Sequence, residues 1–121
     1  MYKSFKDMPV WQRAMEVAEQ VFAATEHLPK KEDYGLTSQI RRSALSVPSN
    51  IAEAFGRKHT LDKVNFYYNA RGSLTETQSH LEYAKRVGYV SEEDALNMDN
   101  ELISLHHEIN MIISALCNAK I

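Results

Sequence analysis

Glu53, Glu76, Glu82 and Glu108, with His80, His106, His107 and Cys117, are the side chains of this chain best suited to hold a metal or move a proton. A di-metal centre in a helical bundle draws a glutamate from each of two helices and a Glu-x-x-His pair from each of the other two. Here Glu76 and His80 stand four residues apart, and neither of the first two helical segments holds a Glu-x-x-His. The template therefore fails at its defining spacing. His106 and His107 are adjacent, and neighbours on a helix point about 100° apart, which does not suit one shared ion. Cys117 and the serines lack a nucleophile elbow or a nearby base, and no Gly-rich phosphate loop occurs. The expectation is a chain that is not an enzyme, with no catalytic residue, metal or cofactor.

A second chemistry is phosphate binding. Between Arg41 and Arg71 lie six basic residues (Arg41, Arg42, Arg57, Lys58, Lys63, Arg71) against Glu53 and Asp62. Between Glu76 and Glu108 the balance inverts, with eight acidic residues against Lys85 and Arg86, although the whole chain carries only −2. Charge runs on helices are ordinarily solvated faces, yet a local basic patch is also the footprint of a nucleic-acid contact. Tyr34, Phe55, Phe66, Tyr67 and Tyr68 interleave with the basic segment. Aromatics at helical spacing belong first to the core, but Tyr67 and Tyr68 cannot both face one seam.

These residues must be positioned by helices. Val10, Ala14, Val17, Val21, Ala24 and Leu28 recur at spacings of four and three, with Pro9 in the first turn and Pro29 as a stop. Leu36, Ile40, Ala44, Val47, Ile51 and Phe55 mark a second helix. Leu61, Val64, Tyr67, Leu74, Leu81, Ala84 and Val87 mark a third, with Thr60 as its expected N-cap. Ala95, Met98, Leu102, Leu105, Ile109, Ile112 and Leu116 mark a fourth, introduced by Ser91 with Asp94 three residues on. The short breaks at 29–35, 56–59 and 88–91 predict an all-α, antiparallel, up-and-down four-helix bundle in one domain, 1–121.

Several positions sit awkwardly on that pattern. Pro48 removes a backbone N–H and crowds the carbonyl of Ala44, so the second helix is expected to kink there at a cost of about 3 kcal/mol. Ser49 and Asn50 follow it directly. Arg71 is expected to pair with Glu53, and Gly72 to mark a close helix crossing. Trp11, Met15, Ala18 and Phe22 form a second apolar stripe on the first helix, which predicts self-association. Cys117, the single cysteine, is expected to pack as a small apolar residue and cannot form an internal disulfide. No apolar run reaches the roughly 18 residues of a membrane span, and 1–12 lack the apolar region of a signal peptide, so cytoplasmic residence without a membrane partner is expected.

The segments VWQ with Ala14, YGLTSQIRR from Tyr34, SVPSNIAEAFGR from Ser46, ARGSL from Ala70, and AKR with Gly88 and Tyr89 span nearly the whole chain. Together they resemble the four-helix bundle family encoded in intervening sequences of bacterial large-subunit ribosomal RNA genes. Ala54 departs from that pattern, which usually has glycine there. The resemblance implies a small cytosolic bundle, often a ring-like homopentamer. Relatives in diversity-generating retroelements are strongly basic accessory factors that bind nucleic acid and a reverse transcriptase. The resulting expectation is a homo-oligomeric module for RNA or DNA that uses Arg41, Arg42, Arg57, Lys58 and Lys63. The competing one is a scaffold that presents the acidic face of the third and fourth helices to a protein partner.

Overall fold

The computed structural model describes residues 1–119. Four helices carry nearly all of them: α1 (Pro9–Ala24), α2 (Leu36–Gly56), α3 (Thr60–Arg86) and α4 (Glu92–Ala119). No strand occurs among the described residues. Each helix packs on its chain neighbours, and α4 returns to α1, so the four close around one core. Apolar residues at helical spacing supply that core, including Val10, Val17 and Val21 of α1 and Ile40, Val47 and Ile51 of α2. Leu74 and Leu81 of α3 and Leu102, Leu105 and Ile109 of α4 complete it.

Each helix end has a local cause. A 3-10 turn at Phe5–Asp7, closed by Ser4 and Asp7, leads into Pro9 at the first position of α1. Thr25 ends α1, its hydroxyl meeting the carbonyls of Val21 and Phe22. Glu32 caps α2 by accepting from the Leu36 amide, and its second oxygen accepts from the Tyr89 hydroxyl. That bond holds the Tyr89 hydroxyl above its usual pKa. At the end of α3, Gly88 takes φ +84, the Tyr89 amide donates to Ala84 and the Gly88 amide to Lys85. This is a Schellman motif, and the left-handed backbone at its turn explains the glycine. Ser91 opens α4 by accepting from the Asp94 amide, as its spacing predicts.

Several expectations are corrected. Thr60 is the first helical residue rather than the cap; His59, in extended backbone, holds that position and makes no side-chain cap bond. Ile113, not Ile112, is the buried residue near the end of α4, and Ala54 rather than Phe55 near the end of α2. Leu61 and Val87 are exposed: Leu61 shares the outer side of α3 with exposed Asn65 and Tyr68, and Val87, the residue that ends the helix, follows exposed Tyr83 one turn on. Cys117 is exposed, in the last turns of α4. Gly72 marks no close crossing: it faces solvent, and a Cβ there would meet nothing within 4 Å.

The α2–α3 seam is closed by small and hydroxyl side chains. Thr77 contacts Ser43 at 2.8 Å, and Ser73 donates to Ser46 at 2.9 Å. Asn50 donates to both the carbonyl and the hydroxyl of Ser46. Pro48 is buried within an unbroken α2. Directly after it, the Ser49 hydroxyl and the Asn50 amide reach back past it to the carbonyls of Leu45 and Ser46.

Candidate nucleic-acid interface

The five basic residues singled out by sequence lie on α2 or just beyond it, in two groups. Arg41 and Arg42 sit near its start, while Arg57, Lys58 and Lys63 surround its end. Arg57, just past the last helical residue, stands fifteen positions beyond Arg42, a rise of about 22 Å along the helix. The groups are therefore two ends of one helix.

Local structure divides each group into committed and uncommitted cations. Arg41 donates from Nε to the Thr25 hydroxyl and from Nη2 to the Phe22 carbonyl, and its guanidinium lies 4.1 Å from the Phe22 ring centroid. It fastens α2 to the end of α1. Lys63 donates to the carbonyls of Ala54 and Phe55, so its charge satisfies the negative end of the α2 dipole. Arg57 pairs with Glu53 one turn earlier at 3.2 Å and stacks on Phe66 at 4.7 Å. The side chains of Arg42, Lys58 and His59 are exposed and make no hydrogen bond or ion pair with any described residue.

Glu53 consequently does not meet Arg71. It points outward on α2, whereas Arg71 faces α4, donating to Asn110 at 2.9 Å and covering the Tyr68 ring at 5.0 Å. Tyr67 and Tyr68 divide as the spacing requires: Tyr67 is buried and Tyr68 exposed. Burial, reinforced by the charge of Glu108, pushes the Tyr67 hydroxyl up to about 12.

The acidic segment is partly consumed by internal partners. Glu108 pairs with Arg13, and Glu82 with Arg86 and Lys85, whose hydrogen bonds hold its carboxyl below the usual range. Glu76 lies 3.3 Å from His80, and Asp99 accepts from Gln78. Glu92, Glu93 and Asp94 occupy the first turn of α4, where the helix dipole favours them. Among the described residues no three of His, Cys, Asp and Glu are placed to share a metal ion. No described helix is long and apolar enough to cross a membrane.

Two surface concavities join residues singled out by sequence to others that were not. Met15, Ala18 and Phe22 of the second α1 stripe combine with Leu45 of α2 to line a groove of about 230 Å³. Leu45 belongs to no predicted core stripe, and its exposure signals the groove only once α1 is in place. Ser49, Ala52, Glu53, Gly56 and Arg57 line a shallow concavity on the outer side of α2.

The sequence motifs can now be set beside known proteins. The model of the 23S rRNA-intervening sequence protein family matches residues 6–111. The chain belongs to this family. As a 23S rRNA-intervening sequence protein it is similar in fold to a solved structure from Bacteroides thetaiotaomicron, described as a protein with unknown function from the S23 ribosomal protein family. The two superpose with a TM-score of 0.77 at 23% identity, over 86% of this chain and 97% of the other. No curated protein matches.

Proposed function

We propose that this family member is a non-enzymatic, homo-oligomeric module for RNA or DNA, with the end of α2 and the turn into α3 as its contact surface. The observation that carries this reading is the exposure of the Lys58 and His59 side chains, in the turn after α2, without internal partners; the Arg42 side chain is likewise unpartnered towards the start of the helix. Cations already satisfied within the fold lose those bonds when they turn to phosphate, whereas Arg42 and Lys58 are available. The fold is one domain of antiparallel helices. Cross-helix pairs support that direction, since Ser43 meets Thr77 while Ser46 meets Ser73, and Arg71 meets Asn110 while Gln78 meets Asp99. Cytoplasmic residence accords with a ribosomal RNA gene as the family's genetic setting.

The apolar groove between α1 and α2 supports self-association, with a ring of five as the form that the family resemblance leads us to expect. Phe22 and Leu45 are each about half exposed at its rim. Light scattering at micromolar concentration should return a multiple of the 13.9 kDa chain mass, and a monomer mass would remove the oligomer.

The binding test is a salt series with structured RNA and with duplex DNA, comparing the protein with its Arg57→Glu, Lys58→Glu variant. The expected outcome is salt-sensitive binding that the variant loses. Binding retained by the variant would move the contact elsewhere. No binding even at low salt would favour a protein scaffold using the exposed acids Glu92, Glu93, Asp94 and Glu101.

A further inference from the structure

We infer that the outward face of α2 fits the backbone of a nucleic-acid duplex rather than a single strand, an inference that rests on the nucleic-acid reading above. Arg42, Ser49 and Gly56 are spaced by seven residues, and an α-helix drifts only about 20° over that interval. All three are exposed, so they lie along one solvent-facing line, with Arg57 and Lys58 at its far end. The line thus has an unpartnered cation near each end and a shelf of about 22 Å between them.

The composition of that shelf selects the ligand. Single-strand sites combine a continuous basic track along the backbone with aromatic platforms on which successive bases stack. Between Arg42 and Arg57 the exposed or half-exposed residues are Leu45, Ser46, Ser49, Asn50, Ala52, Glu53, Phe55 and Gly56. None is a cation, Phe55 is the one ring among them, and of the nearby rings Phe22 and Phe66 are already covered by Arg41 and Arg57, so no succession of platforms runs along the shelf. A flexible strand has little to follow from one end to the other. A duplex needs nothing between, because its own rigidity carries phosphates to both ends, and the small residues at 49, 52 and 56 let it approach the helix closely. Duplex RNA is read in this way, by shape and by contacts to its backbone.

The same geometry gives Glu53 a role. Its carboxylate holds Arg57 at 3.2 Å on this face, which withdraws one cation from the phosphates and sets a negative charge on the shelf. Glu53 therefore restrains binding.

The test uses three probes of equal length, an RNA hairpin duplex, a DNA duplex and an unstructured single strand, titrated from about 50 to about 200 mM salt. The duplexes should bind more tightly than the single strand, and comparing the two duplexes separates shape reading of RNA from backbone binding common to both. Arg42→Gln and Lys58→Gln should each flatten the log–log salt slope by about 0.9, so that affinity falls roughly 3.5-fold less over the fourfold salt range. Glu53→Gln should steepen it by the same amount. Single-strand binding as tight as duplex binding would overturn the duplex inference and leave the nucleic-acid reading intact. So would loss of binding in Tyr34→Ala, since Tyr34 is the fully exposed ring before α2 and a ready stacking platform. Duplex binding with unchanged slopes in both Gln variants would overturn the assignment to this face. Absence of binding to every probe at the lowest salt would overturn both readings. Thermal melts of each variant confirm that the bundle is retained.

Discussion

The α2–α3 and α1–α4 seams solve the same packing problem in opposite ways. Of the four helix–helix seams, α2–α3 has the most extensive contact and α1–α4 the least. On the first seam Ser43, Ala44 and Ser46 face Ala70, Ser73 and Thr77, and small side chains bring the helices together while hydroxyls satisfy one another across the join. On the second, Arg13 reaches from α1 to Glu108 and Ser104. Further along, Gln20, Ala23, Asp94, Asn97 and Glu101 line an open trough. Close approach here comes from reducing side-chain volume rather than from adding apolar mass. The looser seam is held by long polar side chains that span a gap.

That contrast makes graded predictions. Leu74→Ala, at a fully buried position of α3, should cost about 2–5 kcal/mol and lower the melting temperature by on the order of 10 °C. A drop of only a degree or two in a thermal melt would show that the core beside the tight seam collapses readily around a void. Thr77→Val keeps the volume but removes the hydroxyl that meets Ser43 and the Ser73 carbonyl, so denaturant unfolding should show a loss of about 1–2 kcal/mol. An unchanged midpoint would mean that the hydroxyl ladder contributes nothing to the tightness.

Tyr67 gives the comparison a pH axis. Its folded pKa of about 12 lies above the ordinary value of 10, so the fold favours the neutral phenol. The stabilisation is complete below pH 10 and is lost as pH rises from 10 towards 12. Tyr67→Phe should flatten that alkaline decline in a pH series of melts, and a parallel decline in both proteins would assign it to other groups. The smallest effect is expected at the loose seam. Arg13 and Glu108 are each about one-third exposed, so Arg13→Met should cost under about 1 kcal/mol. A loss matching that of Leu74→Ala would erase the distinction between the seams.

Much of this was legible in the sequence. The alternation of threes and fours marked out four helices, and Pro9, Gly88 and Ser91 act at their ends through local backbone chemistry, whereas α1 stops at Ala24, four residues before the end of the stretch that Pro29 was expected to close. Thr77 and Ala70 were missed as core residues because neither is recognisably apolar and large, and their burial follows from the closeness of α2. Arg71 was given the wrong partner because its direction depends on where α4 lies around α3, which spacing within one helix does not encode. The candidate interface was legible only as a list of cations. Which of them stay available depends on contacts made across helices, as Arg41 to Thr25 and Lys63 to Ala54 show.

The order in which the helices touch also sets an order in time. Three of the four helix–helix seams join segments adjacent in the chain, so they close with little loop entropy, and only the α1–α4 seam must bring distant segments together. During synthesis α1, α2 and α3 can associate while α4 is still being made, leaving the residues that α4 will cover exposed until it arrives. The apolar flank that α4 covers is therefore the last part of the core to close, and it closes only when the distant α1–α4 seam forms.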